Sequence, residues 1–407
     1  MNTIQIVALM SPLVVVLLLL TFAPLLFENF WRKYEKKFLF TTTAIAVVTT
    51  VLIVKGESKN LFYHTMIEDY VPFIITLFTL YILSTGISLK LNAKSTTLNN
   101  IIFLFVCSIF ASLIGTTGAS MVFIKPFLDM NKNRKYKAHL VVFFIFLVSN
   151  IGGLLTPLGD PPLLLGYLHG VNFFWCLKNL FSSWVFYVFS CLLVLGVIDS
   201  FILKKEKVVQ KARITNKICL GESSVFNFLC ILFSAFVLFY DIKYTTLILL
   251  IMSFISILKR KEKIDFAPFK EVALTFFTIF MVIAPVIFLL KEYNESISKI
   301  CNGPVSYFWL CGSASSLLDN ALSYLLFFNI SGGDVQELMK NFPDVLKAIS
   351  IGSVVMGAMT YIGNAPNMMV RSIAIKNKTK MPSFLGYVGW SIVIILPLSV
   401  LMCFVLL

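Results

Sequence analysis

The stretch GGLLTPLGDPPLLLG, residues 152–166, interrupts an apolar run that is otherwise suited to a lipid bilayer. It places Asp160 between Gly159 and two prolines. A carboxylate and two helix breakers are costly at membrane depth, because hydrocarbon offers no partner for freed backbone groups or for a charge. Such an interruption is tolerated where it lines a cavity inside the protein. The stretch therefore indicates a functional site within a membrane span.

The composition of the whole chain is that of a membrane protein. Of its 407 residues, 58% are hydrophobic and 13% are charged. Its apolar blocks match the roughly 20 residues that a helix needs to cross a bilayer. We predict an all-α polytopic membrane protein with crossings at 5–27, 38–55, 67–89, 139–168, 179–203, 223–240, 243–258, 270–291, 344–370 and 384–407. Two more apolar stretches, 98–128 and 303–330, carry polar clusters at their centres.

The net charge of +14 comes largely from basic loops such as WRKYEKK (31–37) and LKKEKVVQKAR (203–213). When loops are assigned to alternate sides, most Lys and Arg residues fall on one side. The positive-inside rule makes that side cytoplasmic and places both termini outside. The charge thus orients the chain in the membrane and does not indicate a nucleic-acid partner.

An internal repeat with a shift of 204 residues relates two pairs of motifs. GLLTPLGDPP (153–162) lies over GAMTYIGNAP (357–366), and ASLIGT (111–116) lies over SSLLDN (315–320). One shift that aligns two separate motifs favours a duplicated architecture over coincidence.

We predict an N-terminal repeat (1–205), a cytoplasmic basic linker (206–222) and a C-terminal repeat (223–407). Each repeat has five transmembrane crossings, one of them a broken helix at 139–168 or 344–370. Each also has one re-entrant hairpin, at 98–128 or 303–330. An odd number of crossings inverts the second repeat relative to the first. Inverted repeats with interrupted helices at matching places are typical of secondary transporters, whose site lies near the midplane.

The two aspartates at these interruptions are the leading candidates for transport chemistry. Asp160 and Asp319 each suit a helix N-cap, so a purely structural capping role is the alternative. A buried carboxylate can instead bind a cation or take up a proton. We predict ion and proton binding by Asp160, Asp319, Asn320 and Asn364, with a Na+ site near the two carboxylates.

Hydroxyl groups, amides and glycines around the same interruptions are predicted to complete the cavity. The oxygens can serve as ligands, and the glycines allow close backbone approach. These cavity residues are Thr116, Thr117, Ser149, Asn150, Gly153, Thr156, Gly159, Ser316, Gly357, Thr360, Gly363 and Asn367.

Other ionisable residues and other functions have weaker support. Asp199 precedes a basic run at 204–207 and is predicted to be solvated or paired with lysine. We find neither a nucleophile–base constellation nor a phosphate-binding loop, so the chain is not predicted to be an enzyme. No cofactor is expected besides Na+ and H+ as transported or coupling ions.

At these motifs the chain resembles the ion transporter superfamily, the citrate transporter-like permeases. The resemblance runs through SNIGGLLTPLGDPPLLLGYLHGVNFFW (149–175) and GAMTYIGNAPNMMV (357–370) and covers nearly the whole chain. It implies a scaffold domain, a moving transport domain, elevator-type alternating access and a homodimer.

Within the superfamily, dicarboxylate carriers show Ser-Asn-Thr at both hairpin tips. This chain has Gly115-Thr116-Thr117 and Leu318-Asp319-Asn320 instead. The Asp-Asn pair is similar to antiporters and arsenite permeases, and TPLGDPP is similar to the NhaD-type Na+/H+ antiporters.

The leading hypothesis is a Na+ (or Li+)/H+ antiporter in the bacterial inner membrane, with the lipid bilayer and a small inorganic cation as its partners. The alternative is a Na+-coupled symporter of a di- or tricarboxylate or another small anion, or an arsenite-type permease. Half-helix N-termini attract anions, which favours the alternative. No arginine lies at a motif centre, which opposes it.

Overall fold

The computed structural model describes residues 1, 3–206, 217–221, 223–240, 242–260, 264–293, 301 and 303–406. Its α-helices in the first half are α1 Thr3–Leu26, α2 Glu28–Val54, α3 Ser58–Tyr63, α4 Val71–Thr85, α5 Thr97–Ile114, α6 Thr116–Met130, α7 Ala138–Leu147, α8 Pro161–Leu168 and α9 Trp175–Glu206. Those in the second half are α10 Ser224–Phe239, α11 Thr245–Leu258, α12 Ala267–Glu292, α13 Pro304–Leu317, α14 Asn320–Ile330, α15 Val335–Lys340, α16 Pro343–Met356, α17 Ala365–Lys376 and α18 Phe384–Leu406.

Seven helical stretches in the described chain are long and apolar enough to cross a membrane. They are Thr3–Leu20, Lys33–Thr85, Thr97–Ile114, Ala138–Leu155, Trp175–Glu206, Ala267–Leu290 and Phe384–Val405. The predicted class, a polytopic membrane protein, is confirmed. The crossings predicted at 223–240 and 243–258 coincide with α10 and α11, which are apolar but only 16 and 14 residues long.

The structure is helical, as predicted, apart from one short strand pair. Two four-residue strands, β1 (Leu89–Asn92) and β2 (Lys217–Leu220), pair antiparallel with Leu89 opposite Leu220. β2 lies within the segment that was predicted only as a basic linker, and residues 207–216 of that linker fall outside the described chain. Both strands are too short to carry a clear alternating pattern, so their pairing is decided by tertiary contacts.

The backbone leaves the α-helical path at both predicted breaks. α7 ends at Leu147, a 3-10 turn covers Ile151–Leu155, and α8 begins at Pro161. In the second half α16 is followed by a 3-10 turn at Gly357–Met359 before α17 begins at Ala365.

Glycines permit the chain to cross itself closely at both breaks. A Cβ added to Gly159 would overlap the Gly153 carbonyl, and one added to Gly363 would lie 2.6 Å from the Gly357 carbonyl oxygen. Real side chains do not approach backbone oxygens so closely, so these positions need glycine.

The helices that lead into the breaks form the centre of the molecule. In α7, AHLVVFFIFL, every residue from His139 to Leu147 is buried. A helix that is apolar on all sides is stable only when other helices surround it. α16 is likewise buried from Ala348 to Met356 and packs against α13. The two breaks therefore lie in the interior, where their polar groups must find partners within the protein.

Candidate ion-binding site

Asp160 lies at the centre of a buried polar network. Only 1% of its surface is exposed. Its Oδ1 accepts hydrogen bonds from Thr116 Oγ1 at 2.6 Å and Asn364 Nδ2 at 3.2 Å. Its Oδ2 accepts one from Asn320 Nδ2 at 2.5 Å. All three donors are neutral. Within the described chain, Asp160 forms no ion pair with any Lys, Arg or His side chain.

Asp160 occupies the N-cap position of α8, but its carboxylate does not cap the helix. The next two residues are Pro161 and Pro162, which have no backbone N–H to offer. The carboxylate is therefore free to turn away from the helix and towards Thr116, Asn320 and Asn364. A purely structural capping role does not describe this side chain.

Asn364 connects Asp160 to the other half of the network. Its Nδ2 also lies 3.0 Å from the Ser149 carbonyl oxygen and 3.2 Å from Asn150 Oδ1. Asn150 Nδ2 donates to Asn367 Oδ1 at 2.7 Å. Asn367 in turn ties down the unwound backbone by donating to the carbonyls of Gly357 (2.9 Å) and Thr360 (3.0 Å).

Residues that the 204-residue shift places in register also meet or repeat their contacts. Asp160 and Asn364 are such a pair, and they hydrogen bond to each other. Thr116 and Asn320 are another, and both donate to Asp160.

A further correspondence lies behind the site. Thr156 Oγ1 donates to the Ser112 carbonyl, and Thr360 Oγ1 donates to the Ser316 carbonyl. Each threonine thus ties its break to the end of the neighbouring helix, α5 or α13.

Asp319 and Asn320 lie at the junction between α13 and α14. Asp319 caps α14, since its Oδ1 accepts from the Ala321 N–H at 3.0 Å. Its side chain is half-buried. Asn320 is fully buried, and its Oδ1 has no hydrogen-bond partner. An amide oxygen left without a donor beside a carboxylate is suited to a cation.

A cavity of about 550 Å³ opens beside this network. Asp160, Asp319, Thr116 and Thr117 line it, together with Asn364. Most of its remaining wall is apolar and comes from α4, α12 and α17.

The far end of the same cavity is formed by the beginning of α12 and the end of α17. Glu271 and Lys376 stand there, and Lys376 is the only Lys, Arg or His among the described residues of the wall. Under the positive-inside assignment both positions are cytoplasmic. The cavity therefore leads from the carboxylates towards the basic side of the protein.

The structure assigns the other predicted cavity residues to different places. Gly159 and Thr117 lie on the cavity wall. Ser149 is buried, and its Oγ pairs with Ser120 Oγ at 2.8 Å. At the breaks, hydroxyl groups hydrogen bond to backbone carbonyls and glycines allow close approach of the chain. These residues are Thr156, Ser316, Thr360, Gly153, Gly357 and Gly363, and none of them lines the cavity.

Two groups of residues escaped the sequence reasoning. Ser112 accepts from the Leu155 N–H at 3.1 Å and donates to the Gly152 carbonyl at 2.5 Å. It could have been found, because the 204-residue shift aligns it with the predicted residue Ser316. The end of the cavity that Glu271 and Lys376 form had no comparable signal.

The prediction for Asp199 is wrong. Asp199 is fully buried and accepts from Arg134 Nη2 at 2.7 Å, while His139 Nε2 lies 2.9 Å from the same oxygen. Arg134 also pairs with Glu206 at 2.7 Å. Arg134, in a loop, and His139, in a helix, are 65 and 60 residues away in the sequence, so local charge patterns could not reveal them.

A family model described as "Putative citrate transport" matches residues 2–407, nearly the whole chain. The chain belongs to this citrate transport family. A search of curated proteins gives no significant match. The match is consistent with the predicted resemblance to citrate transporter-like permeases. With the seven apolar helices, it makes the chain a membrane-embedded secondary transporter of a small solute.

Proposed function

We propose that this family member exchanges Na+ or Li+ for protons at the network around Asp160. Asp160 is the primary binding group. Asp319 adds a second carboxylate on the same cavity, and Asn320 and Asn364 supply amide groups. Thr116 and Asn150 orient this set.

The observation that carries the proposal is a buried carboxylate with only neutral hydrogen-bond donors. Removing an ionised carboxylate from water is unfavourable unless a counter-charge accompanies it. The described protein supplies no such cation to Asp160. A proton or a small metal ion from the cavity can neutralise it, but both need the same oxygens. Mutual exclusion at one carboxylate is the minimum that exchange requires.

The amides around Asp160 can serve both occupants. With their NH2 groups towards Asp160 they stabilise the carboxylate by hydrogen bonding. Rotation of an amide by half a turn replaces nitrogen with oxygen at nearly the same place, and Asn320 Oδ1 has no donor to lose. Na+ would then find oxygens from Asp160, Asn320 and Thr116. These are the hard ligands that a small cation prefers.

The proposed mechanism is alternating access by two inverted repeats, with α5–α6 and α13–α14 as re-entrant hairpins. The contact between Asp160 and Asn364 supports it, because residues related by a two-fold axis can meet only close to that axis. An elevator-type displacement would then carry the site across the membrane. Assembly as a homodimer in the bacterial inner membrane belongs to the same proposal.

In this proposal, the described conformation is the inward-facing state of the cycle. The cavity leads to the cytoplasmic end of α12, whereas α8 and α14 close the opposite side. A Cβ at Gly166 of α8 would overlap the Tyr324 hydroxyl of α14. His169 reaches across to Asp69 at 3.7 Å.

The family description favours a second candidate, which is symport of a tricarboxylate with cations. A cavity of about 550 Å³ is large for a bare ion and lies within the range of ligand pockets. Asp160 and Asp319 would repel a free tricarboxylate in this cavity, so such a cargo would need cations beside it. Uptake of labelled citrate that depends on Na+ would favour this candidate over exchange.

Everted membrane vesicles containing the protein, energised to be acid inside, test the proposal. Addition of Na+ should restore the fluorescence of a pH-gradient dye. We expect this recovery to be abolished in Asp160→Asn, strongly reduced in Asp319→Asn and retained in Asp129→Asn, which alters an exposed carboxylate at the end of α6. Recovery of native size in Asp160→Asn would contradict the proposal. Absence of recovery with Na+ and Li+ in folded native protein, combined with citrate uptake, would replace it with symport.

A further inference from the structure

A second cavity, of about 600 Å³, lies between the α5–α6 pair, strand β1 and α10. Its wall is almost entirely apolar; the polar residues in it are Asn99 and Ser224. Leu89 and Leu91 reach it from the same face of β1, as alternate residues of a strand do. Ile114, the last residue of α5, borders both this cavity and the one that contains Asp160. The apolar cavity therefore ends directly behind the Gly115 junction.

The cavity is open to the bilayer along one side. Ile102 and Val106 of α5 are 51% and 40% exposed, and Val225 of α10 is 56% exposed. Its inner wall includes Cys107 and Met130, which are buried. From Asn99 to Ile114 the cavity follows α5 for about 22 Å, at 1.5 Å per residue. This exceeds the depth of one leaflet, about half of the 30 Å hydrocarbon core.

Two lysines stand near the cytoplasmic end of the cavity, outside its wall. Lys94 is exposed next to the lining residue Ala93, and its carbonyl accepts from Asn99 Nδ2 at 2.8 Å. Lys259 Nζ lies 3.8 Å from the centre of the Phe226 ring. Neither residue is in the wall, but Phe226 follows the lining residue Val225 in α10. Lysines at the membrane surface attract anionic headgroups.

We propose that this cavity binds one anionic phospholipid of the cytoplasmic leaflet. An acyl chain lies along α5 up to Ile114, and the phosphate lies between Lys94 and Lys259. The apolar wall excludes a water-soluble solute, because nothing along its depth can replace hydration. The lateral opening and the basic rim favour a lipid with a negative headgroup over a neutral one. This site is independent of the cargo proposed for the Asp160 cavity.

Native mass spectrometry of delipidated protein, titrated with phosphatidylglycerol or with phosphatidylcholine of identical chains, tests the proposal. Native protein should retain one phosphatidylglycerol at least tenfold more tightly than phosphatidylcholine. Val106→Trp places an indole in the cavity and should remove this tight binding. Lys94→Gln and Lys259→Gln leave the cavity open and should each weaken phosphatidylglycerol binding about fivefold.

Matched controls separate the site from general lipid coating. Val393→Trp adds an indole on α18, at a residue that is 73% exposed. Lys380→Gln removes an exposed lysine outside the cavity. Both should bind phosphatidylglycerol like native protein. Equal retention of the two lipids, or equal binding by Val106→Trp and Val393→Trp, would overturn the proposal. Loss of tight binding in Val106→Trp alone, with the lysine variants unchanged, would overturn the assigned headgroup position.

Discussion

Asp160 and Asp199 are both buried, but their surroundings differ in one respect. Asp199 has a permanent cationic partner, Arg134, at 2.7 Å, and His139 Nε2 lies 2.9 Å from the same oxygen. Asp160 has three neutral donors and faces a cavity. A carboxylate with a built-in counter-charge contributes to the structure, whereas one without it depends on an occupant that can arrive and leave. Burial alone therefore does not identify a transport residue.

The largest expected effect is a contrast in stability between the two neutralised carboxylates. Asp199→Asn should lower the free energy of unfolding by about 3 kcal/mol, near the lower end of the cost of breaking a buried ion pair, because Glu206 still holds Arg134. Asp160→Asn should change it by less than about 1 kcal/mol, since no cation loses its partner. Thermal unfolding in detergent measures both.

Asp344→Asn, which breaks an exposed pair with Lys347, is the control and should be nearly neutral. Equal destabilisation by Asp160→Asn and Asp199→Asn would remove the distinction between a paired and an occupant-dependent carboxylate.

A smaller effect is expected from the occupant itself. If Na+ binds beside Asp160, saturating NaCl should stabilise native protein by about 2.7 kcal/mol at a hundredfold excess over its dissociation constant. Choline chloride at equal ionic strength should not. Because protons occupy the same oxygens, the protection should diminish as the pH falls. Thermal unfolding of Asp160→Asn should show no sodium protection, and protection that persists there would place the cation elsewhere.

The smallest effect concerns the ties behind the site. Thr156→Val and Thr360→Val each remove a hydroxyl that donates to a carbonyl of the neighbouring helix. Each should cost about 1 kcal/mol, and the two costs should be similar because the contacts correspond. Thr49→Val, on the exposed face of α2, is the control and should cost less. A large difference between the two variants would argue against equivalent roles in the two halves.

Some features of the site were accessible from local patterns, and others were not. The aligned motifs GLLTPLGDPP and GAMTYIGNAP located Asp160 and Asn364. A helix break at membrane depth needs Gly, Pro and polar residues, and these are visible in the sequence. The capping role offered as an alternative for Asp160 was excluded only by the direction of its carboxylate. The pairing of β1 with β2, and that of Asp199 with Arg134, joins segments far apart in the sequence and left no pattern to detect.

By itself, the sequence determined the membrane class, the positions of the breaks and the polar residues gathered there. These follow from the free-energy cost of burying unpaired backbone groups and charges in hydrocarbon. That cost depends on the residue types within each segment. Only the tertiary structure decided which donors surround Asp160, which carboxylate has a permanent counter-charge and where the cavities open. Those properties depend on how distant helices pack, and an isolated segment cannot specify them.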